Sequence, residues 1–349
     1  MSNQRVELLF INFKVDSTDP VLGFAPAIIK EFSNEFSTIS VLTGFYSGEK
    51  ISNNVKIYSN RWVENQNLRN VMKFYYFLIK LLVRDRPRIC YTHQAAPQAV
   101  LAAPIFKVMK MKNILWYASV SDSWAIRWAD RIVDRLITST KLSKPFESAK
   151  YHAIGQAIQT ENIKKKIGYS KTLNPKFLNV GRLDPSKEIE NILVTLKSEI
   201  MLESFTFNHF GSSTQNSGRY KKEIELIFSE EISAGQIMFN GGIQYSHLIN
   251  EYAEYDIFIH SFNGSLDKVL VEALASGLPV VTTNLAYKEI FGSWAKEIDA
   301  SLSEELGCFL ELSQDQINEV LIRQMEILKS QHSLETFPKR VRQQFNAIS

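Results

Sequence analysis

The chain has 349 residues, 45% of them hydrophobic and 22% charged, with 15 Gly, 10 Pro and two cysteines. It is long enough for two domains with sizeable cores, and its composition is that of an ordinary soluble globular protein without low-complexity stretches or solenoid-type repeats. Net charge is only +3, but residues 1–175 carry 25 Lys+Arg against 13 Asp+Glu and the remainder 15 against 24, so the first half is suited to meet something anionic.

Cys90 and Cys308 lie far apart in no metal-like spacing. That argues against a disulfide scaffold or a structural zinc site and suits a reducing cytoplasm. No signal-peptide layout opens the sequence, and no apolar run reaches the ~18–20 residues of a spanning helix.

In chain order, RVELLFINF reads as a strand, APAIIKEFSNEF as a helix and STISVLTGF as the next strand. After a polar segment comes the helix NLRNVMKFYYFLIKLLVRD, stopped by Pro87, then the strands RICYTHQ and KNILWYAS. SWAIRWADRIVDRLITST runs from helix into strand, and GYSKTLNPK has the look of a linker. A second series follows: strand KFLNVGRL, helix KEIENILVTLKSEI, strand FTFNHFGSS, helix YKKEIELIFSE, strand QIMFNGG, helix SHLINEYAEY, strand DIFIHSF, helix LDKVLVEALASG and strand LPVVTT. Such alternation predicts an α/β protein of two Rossmann-like domains facing across a cleft, over residues 1–172 and 173–333. A helical tail at 334–349 is placed back on the first domain.

Two stretches carry the candidate chemistry. In NVGRLDPSKEIENIL, Asp184–Pro185 opens a helix after Gly181, and Arg182 and Lys187 bracket the turn. A cation in a first helical turn opposes the helix dipole unless an anion sits there, which makes the pair a phosphate-site candidate. In HSFNGSLDKVLVEALASGLPVV, Ser265 is placed to cap a helix from about Leu266, and Gly277 with Pro279 ends it. Glu272 shares a face with Lys268, Ser265 and Ser276 at ~100° per residue. A lone carboxylate in so apolar a run needs a partner, and the diol of a ribose would serve.

GRLxPxK, then FNGGI at 239–243, then GSLDKVLVEALASGLPVV form an ordered set that resembles the family-4 retaining glycosyltransferases of the GT-B fold. LWYASV (115–120), VDRLITST (133–140) and HAIGQAI (152–158) extend a weaker likeness to the first domain. The resemblance implies a nucleoside-diphosphate-sugar substrate held by the C-terminal domain, an acceptor (a glycan or lipid-linked hydroxyl) held by the N-terminal one, and no cofactor. It assigns Arg182 and Lys187 to the donor diphosphate, Glu272 to the ribose, Gly241 and Ile243 to the nucleobase, and Gly211 to the loop near the nucleotide. Gly264 replaces the family's first motif glutamate, leaving the backbone of Ser265, Leu266 and Asp267 to meet sugar and phosphate. Ser119 stands where an active-site histidine is usual, and GQAIQ replaces GQGID at Ala157 and Gln159. Gly23 and His93 are assigned to the acceptor side. No Asp-x-Asp triplet occurs, in keeping with metal-independent transfer. Ser119 and Gly264 also keep open a catalytically degenerate GT-B protein acting as a nucleotide-sugar or glycan-binding scaffold.

On the helix at 68–84, Arg69, Lys73, Lys80 and Arg84 fall within ~60° of one face, interleaved with Phe74, Tyr75, Tyr76 and Phe77. That pattern reads either as a core helix with a solvated basic stripe or as a helix resting on an anionic membrane surface, which would place the protein at the inner membrane face. No nucleic-acid-binding module accompanies the charge, so nucleic acid is not expected as a partner.

Overall fold

The computed structural model of the protein describes residues 7–348 apart from 20–21, 64–65, 162, 200–201, 203 and 214–216. The chain divides into two compact units, residues 1–157 with 334–349, and 158–333. The division falls ahead of the 172 read from the sequence. Residues 158–172 pack with the second unit, where Ile163 and Tyr169 join its core and the Lys166 amide donates to the Ser276 carbonyl.

The first unit is built on β1 (Glu7–Val15), β2 (Thr38–Tyr46), β3 (Val55–Ser59), β4 (Ile89–His93), β5 (Lys112–Trp116), β6 (Arg135–Thr138) and β7 (Tyr151–Ala153). Its spatial order is β3-β2-β1-β4-β5-β6-β7, parallel throughout. The second holds β8 (Lys176–Val180), β9 (Thr206–Phe210), β10 (Ile237–Phe239), β11 (Ile257–His260) and β12 (Val280–Thr282), ordered β10-β9-β8-β11-β12 and again parallel. Both sheets reverse direction of winding beside their first strand, between β1 and β4 and between β8 and β11. Ligands of doubly wound folds bind outside the carboxyl ends of strands at such points.

The strands are apolar on both faces because helices cover both. Along β1, Leu8 and Phe10 pack with the helices Ala25–Glu35 and Phe337–Asn346, while Leu9 and Ile11 point oppositely to Asn67–Asp85 and Ala96–Met109. The C-terminal helix thus belongs to the first unit. Phe337 lies edge-on to Trp116 at 5.0 Å, and the Arg340 guanidinium donates to the carbonyls of Ile154 (2.6 Å) and Gln156 (2.9 Å).

Some local expectations are corrected. The α-helix of the second unit's first crossover starts at Ile189, so Lys187 sits in a preceding 3-10 turn, Pro185–Lys187, capped by Asp184. Ser265 does not cap the helix Lys268–Ala275, whose N-cap residue is Asp267; the Ser265 carbonyl instead accepts from Asn284 Nδ2. Of the four interleaved aromatics on the basic helix, Phe74 is buried, Tyr75 and Phe77 pack beside it and Tyr76 alone is exposed. Gly277 does end its helix. Its φ of +85° supports the paired amide bonds Gly277→Leu274 and Leu278→Ala273, and a Cβ there would fall 2.6 Å from the Lys166 carbonyl oxygen. No helix among the described residues is long and apolar enough to cross a membrane.

Phe337→Ala should destabilise the protein by about 3–5 kcal/mol, because a fully buried ring leaves a cavity; a chemical denaturation midpoint within error of wild type would contradict the docking of this helix.

Candidate functional site

The candidate residues of the second unit gather at the carboxyl edge of its sheet. Gly181 and Gly211 directly follow β8 and β9, and their backbones nearly touch: a Cβ on Gly211 would stand 1.6 Å from the Gly181 oxygen. The Gly211 amide donates to the Gly241 carbonyl (2.8 Å), and the Leu183 amide to Ser212 (3.1 Å). Glycine is therefore required at 211, and these loops form a backbone-lined floor.

Lys187 stands beside that floor, its methylene carbons 3.6–3.9 Å from where a Gly181 Cβ would be. Its ammonium pairs with Asp267 and lies 4.0 Å from the centroid of the Phe262 ring. His260 Nε2 is 3.5 Å from the same Asp267 oxygen, at the limit of a hydrogen bond. Burial disfavours the Asp267 carboxylate, but His260 and Lys187 outweigh it and hold its pKa well below the usual range. Burial dominates at His260, pushing its pKa down. Lys187 is thus already neutralised from within, and an arriving anion would have to draw it from Asp267. Arg182, by contrast, is exposed and makes no ion pair among the described residues.

Glu272 is 2% exposed. Lys268, one turn earlier, places Nζ 3.0 Å from Oε1 as an ion pair that is not aligned as a hydrogen bond, and Tyr252 Oη donates to Oε2 at 3.3 Å. Burial, helped by the Glu272 charge, raises the pKa of both Tyr245 and Tyr252 well above the ordinary phenol value, keeping them protonated. Lys268 also lies 4.5 Å from the Tyr245 ring centroid. The carboxylate therefore has protein partners, while Oε1 retains unused acceptor capacity.

Around this centre, Ile243 packs against the core, Gly241 takes a φ of +72°, Leu266 is buried, and Gly264 and Ser265 are half-buried beside Phe262 and Asn284. The sequence did not single out Tyr245, Tyr252, Phe262 or His209. No local spacing signals them, since their roles come from β-edge neighbours far apart in the chain. Asn179 Nδ2 donates to the Ile259 carbonyl, so its Oδ1 accepts from His209 Nδ1–H (2.8 Å). His209 Nε2 has no protein partner among the described residues.

In the first unit, Gly23 lies in the turn after β1, His93 ends β4 and Ser119 follows β5, all at the carboxyl edge. His93 Nδ1 meets Tyr91 Oη at 2.8 Å and its ring stacks on Trp116, so it is braced by the core. Ser119 Oγ accepts from the Ser121 amide, closing a local turn. No three His, Cys, Asp or Glu side chains among the described residues converge in a way that could hold a metal ion.

Comparison with solved structures settles the architecture. HepE of Anabaena in complex with UDP-glucose superposes with a TM-score of 0.73 at 15% identity, covering 98% of this chain and 100% of that one. The fold is GT-B. Sucrose-phosphate synthase from Thermosynechococcus elongatus matches with a TM-score of 0.74 at 12% identity over 99% of both chains. WaaG, a glycosyltransferase involved in lipopolysaccharide biosynthesis, gives 0.60 at 14%, covering 96% and 98%. Residues 174–301, which contain the glycine floor, Arg182, Lys187 and Glu272, match the family described as Glycosyl transferases group 1. No curated protein matches the chain by sequence.

Two outcomes are expected. Lys268→Met leaves Glu272 without its counter-charge and should destabilise by about 3 kcal/mol, whereas adding Glu272→Gln should restore most of the loss; additive effects in this double-mutant cycle would break the pairing. His209, neutral and buried, has its pKa lowered from 6.5 to about 4. The unfolded chain binds that proton first, so the contribution is complete above about pH 6.5 and is lost as pH falls towards 4, up to ~3 kcal/mol. Denaturation of His209→Gln against pH should show a shallower slope over that window.

Proposed function

We propose that the protein is a retaining, metal-independent glycosyltransferase of the family-4 type, moving a hexosyl group from a nucleoside-diphosphate sugar to a hydroxyl of a glycan or lipid-linked acceptor. The observation that carries this reading is the assembly of exposed Arg182, Lys187, the Gly181/Gly211 floor and the buried Glu272 carboxylate at the switch point of one parallel sheet. Glycine-lined strand ends let a diphosphate approach backbone amides. Arg182 and Lys187 then neutralise the charge that grows on the leaving diphosphate. Glu272 Oε1 accepts from the ribose diol, and the backbone of Gly264, Ser265, Leu266 and Asp267 faces the sugar and phosphate.

Further support is the match of residues 174–301 to the group 1 glycosyl transferases. A protein of the same fold was solved with UDP-glucose, which makes UDP-sugars the first donors to try. The acceptor is assigned to the first unit, near Gly23, His93 and Ser119, and polysaccharide or surface-glycan assembly is the process such an acceptor implies. Ser119 cannot hold a charge as an imidazole does, so the leaving phosphate itself assists the incoming hydroxyl. Serine at 119 and glycine at 264 also support a second reading, a non-catalytic nucleotide-sugar- or glycan-binding scaffold.

Calorimetric titration with a panel of nucleoside diphosphates and their sugars tests the donor site. One base should bind at micromolar Kd, and Arg182→Ala/Lys187→Ala should abolish that binding while leaving the fold intact. No binding by folded wild type would overturn the transferase reading and leave the glycan-binding scaffold. Binding without turnover of the sugar, with or without added acceptors, would favour the scaffold.

A further inference from the structure

The helix Asn67–Asp85 buries Phe74, Leu78, Leu81 and Leu82 against the first sheet. Its opposite side is apolar too. Leu68, Met72, Tyr76, Ile79 and Val83 are 52–76% exposed. Spaced four, four, three and four residues apart, they line up in one stripe about 80° wide along the helix. Arg69, Lys73, Lys80 and Arg84 run alongside, and Lys80 lies over the Tyr76 ring at 5.9 Å. The helix has one acid, Asp85, whose carboxylate is turned to Ser40, Tyr58 and Lys56.

A continuous apolar stripe on a surface helix marks a contact, and the charge beside it selects the occupant. A second copy of the chain would bring the same four cations against these four, which repel. A bilayer bearing anionic headgroups suits both halves of the pattern. The apolar side chains reach the headgroup–acyl boundary, and the lysine and arginine stems extend so that their charges stay among the phosphates. We propose that the helix Asn67–Asp85 lies along an anionic membrane surface, inserting Leu68, Met72, Tyr76, Ile79 and Val83 and setting Arg69, Lys73, Lys80 and Arg84 on the headgroups. The proposal gives a residue-level basis for meeting a lipid-linked acceptor, but it stands on this surface alone and not on the transfer reading.

Co-sedimentation of the full-length protein with phosphatidylcholine vesicles, with and without phosphatidylglycerol, tests it. Wild type should bind the anionic vesicles and not the neutral ones, less so at raised salt. Ile79→Ser/Val83→Ser, folded by circular dichroism, should bind about tenfold more weakly or worse, with nucleoside-diphosphate titration unchanged. That titration separates failure here from failure of the donor site. Absence of wild-type binding to anionic vesicles, or full binding by the double variant, would overturn the proposal. So would a wild-type dimer in sedimentation velocity that the double variant splits, because it would give the stripe to a second copy.

Discussion

In each unit the strands pair in parallel, so every connection must cross back over a face of the sheet, and every strand delivers its following loop to the same edge. This constraint fixes where chemistry can happen. Residues as distant in sequence as Arg182, Gly211, Gly241 and Asp267 arrive together because each follows the end of a parallel strand. The reversal of strand order between β8 and β11 lies beside Lys187 and Asp267. The same reversal between β1 and β4 sets Gly23 and His93 at the corresponding point of the first sheet.

What occupies the second unit's edge is a set of charges balanced against one another before any ligand arrives. Lys187 leans on Asp267 and Phe262, and Glu272 leans on Lys268 and Tyr252. A buried carboxylate tolerates no vacancy in its partners, so a ligand here exchanges partners and does not fill an empty socket. The affinity of any such ligand would report a difference between two paired states rather than the strength of its new contacts alone.

Much of this was legible in the sequence because parallel, doubly covered strands read as unbroken apolar runs, and each of β1, β2, β4 and β5 showed as one. Glu272 stood out for the same reason, as the one charge in such a run, and its face-sharing with Lys268 followed from helical spacing. Two strands of the first sheet did not show: β3 and β7 sit at its two edges, and each pairs on one side only. The helix Ala96–Met109 was also invisible, because APQAVLAAPIFKVM is apolar around its circumference and holds Pro104 in its interior. Asp184–Pro185 reads as the opening of an α-helix that takes in Lys187; the left-handed Glu188, at φ +50°, breaks it, and no pattern of side chains announces that. The exposed stripe from Leu68 to Val83 was hidden by its neighbours: a helix apolar on two sides looks buried until one side is found uncovered.

The return of residues 334–349 to the first unit has a consequence for how the protein is made. Synthesis runs from the N-terminus, and domains generally fold as they emerge. Here the first unit to be translated is the last that can be completed, since Phe337, Val341 and Phe345 fill its core only after the entire second unit has left the ribosome. Until then Trp116, Phe32 and Tyr91 lack the rings that finally cover them, so the nascent chain exposes an apolar face through most of its own translation.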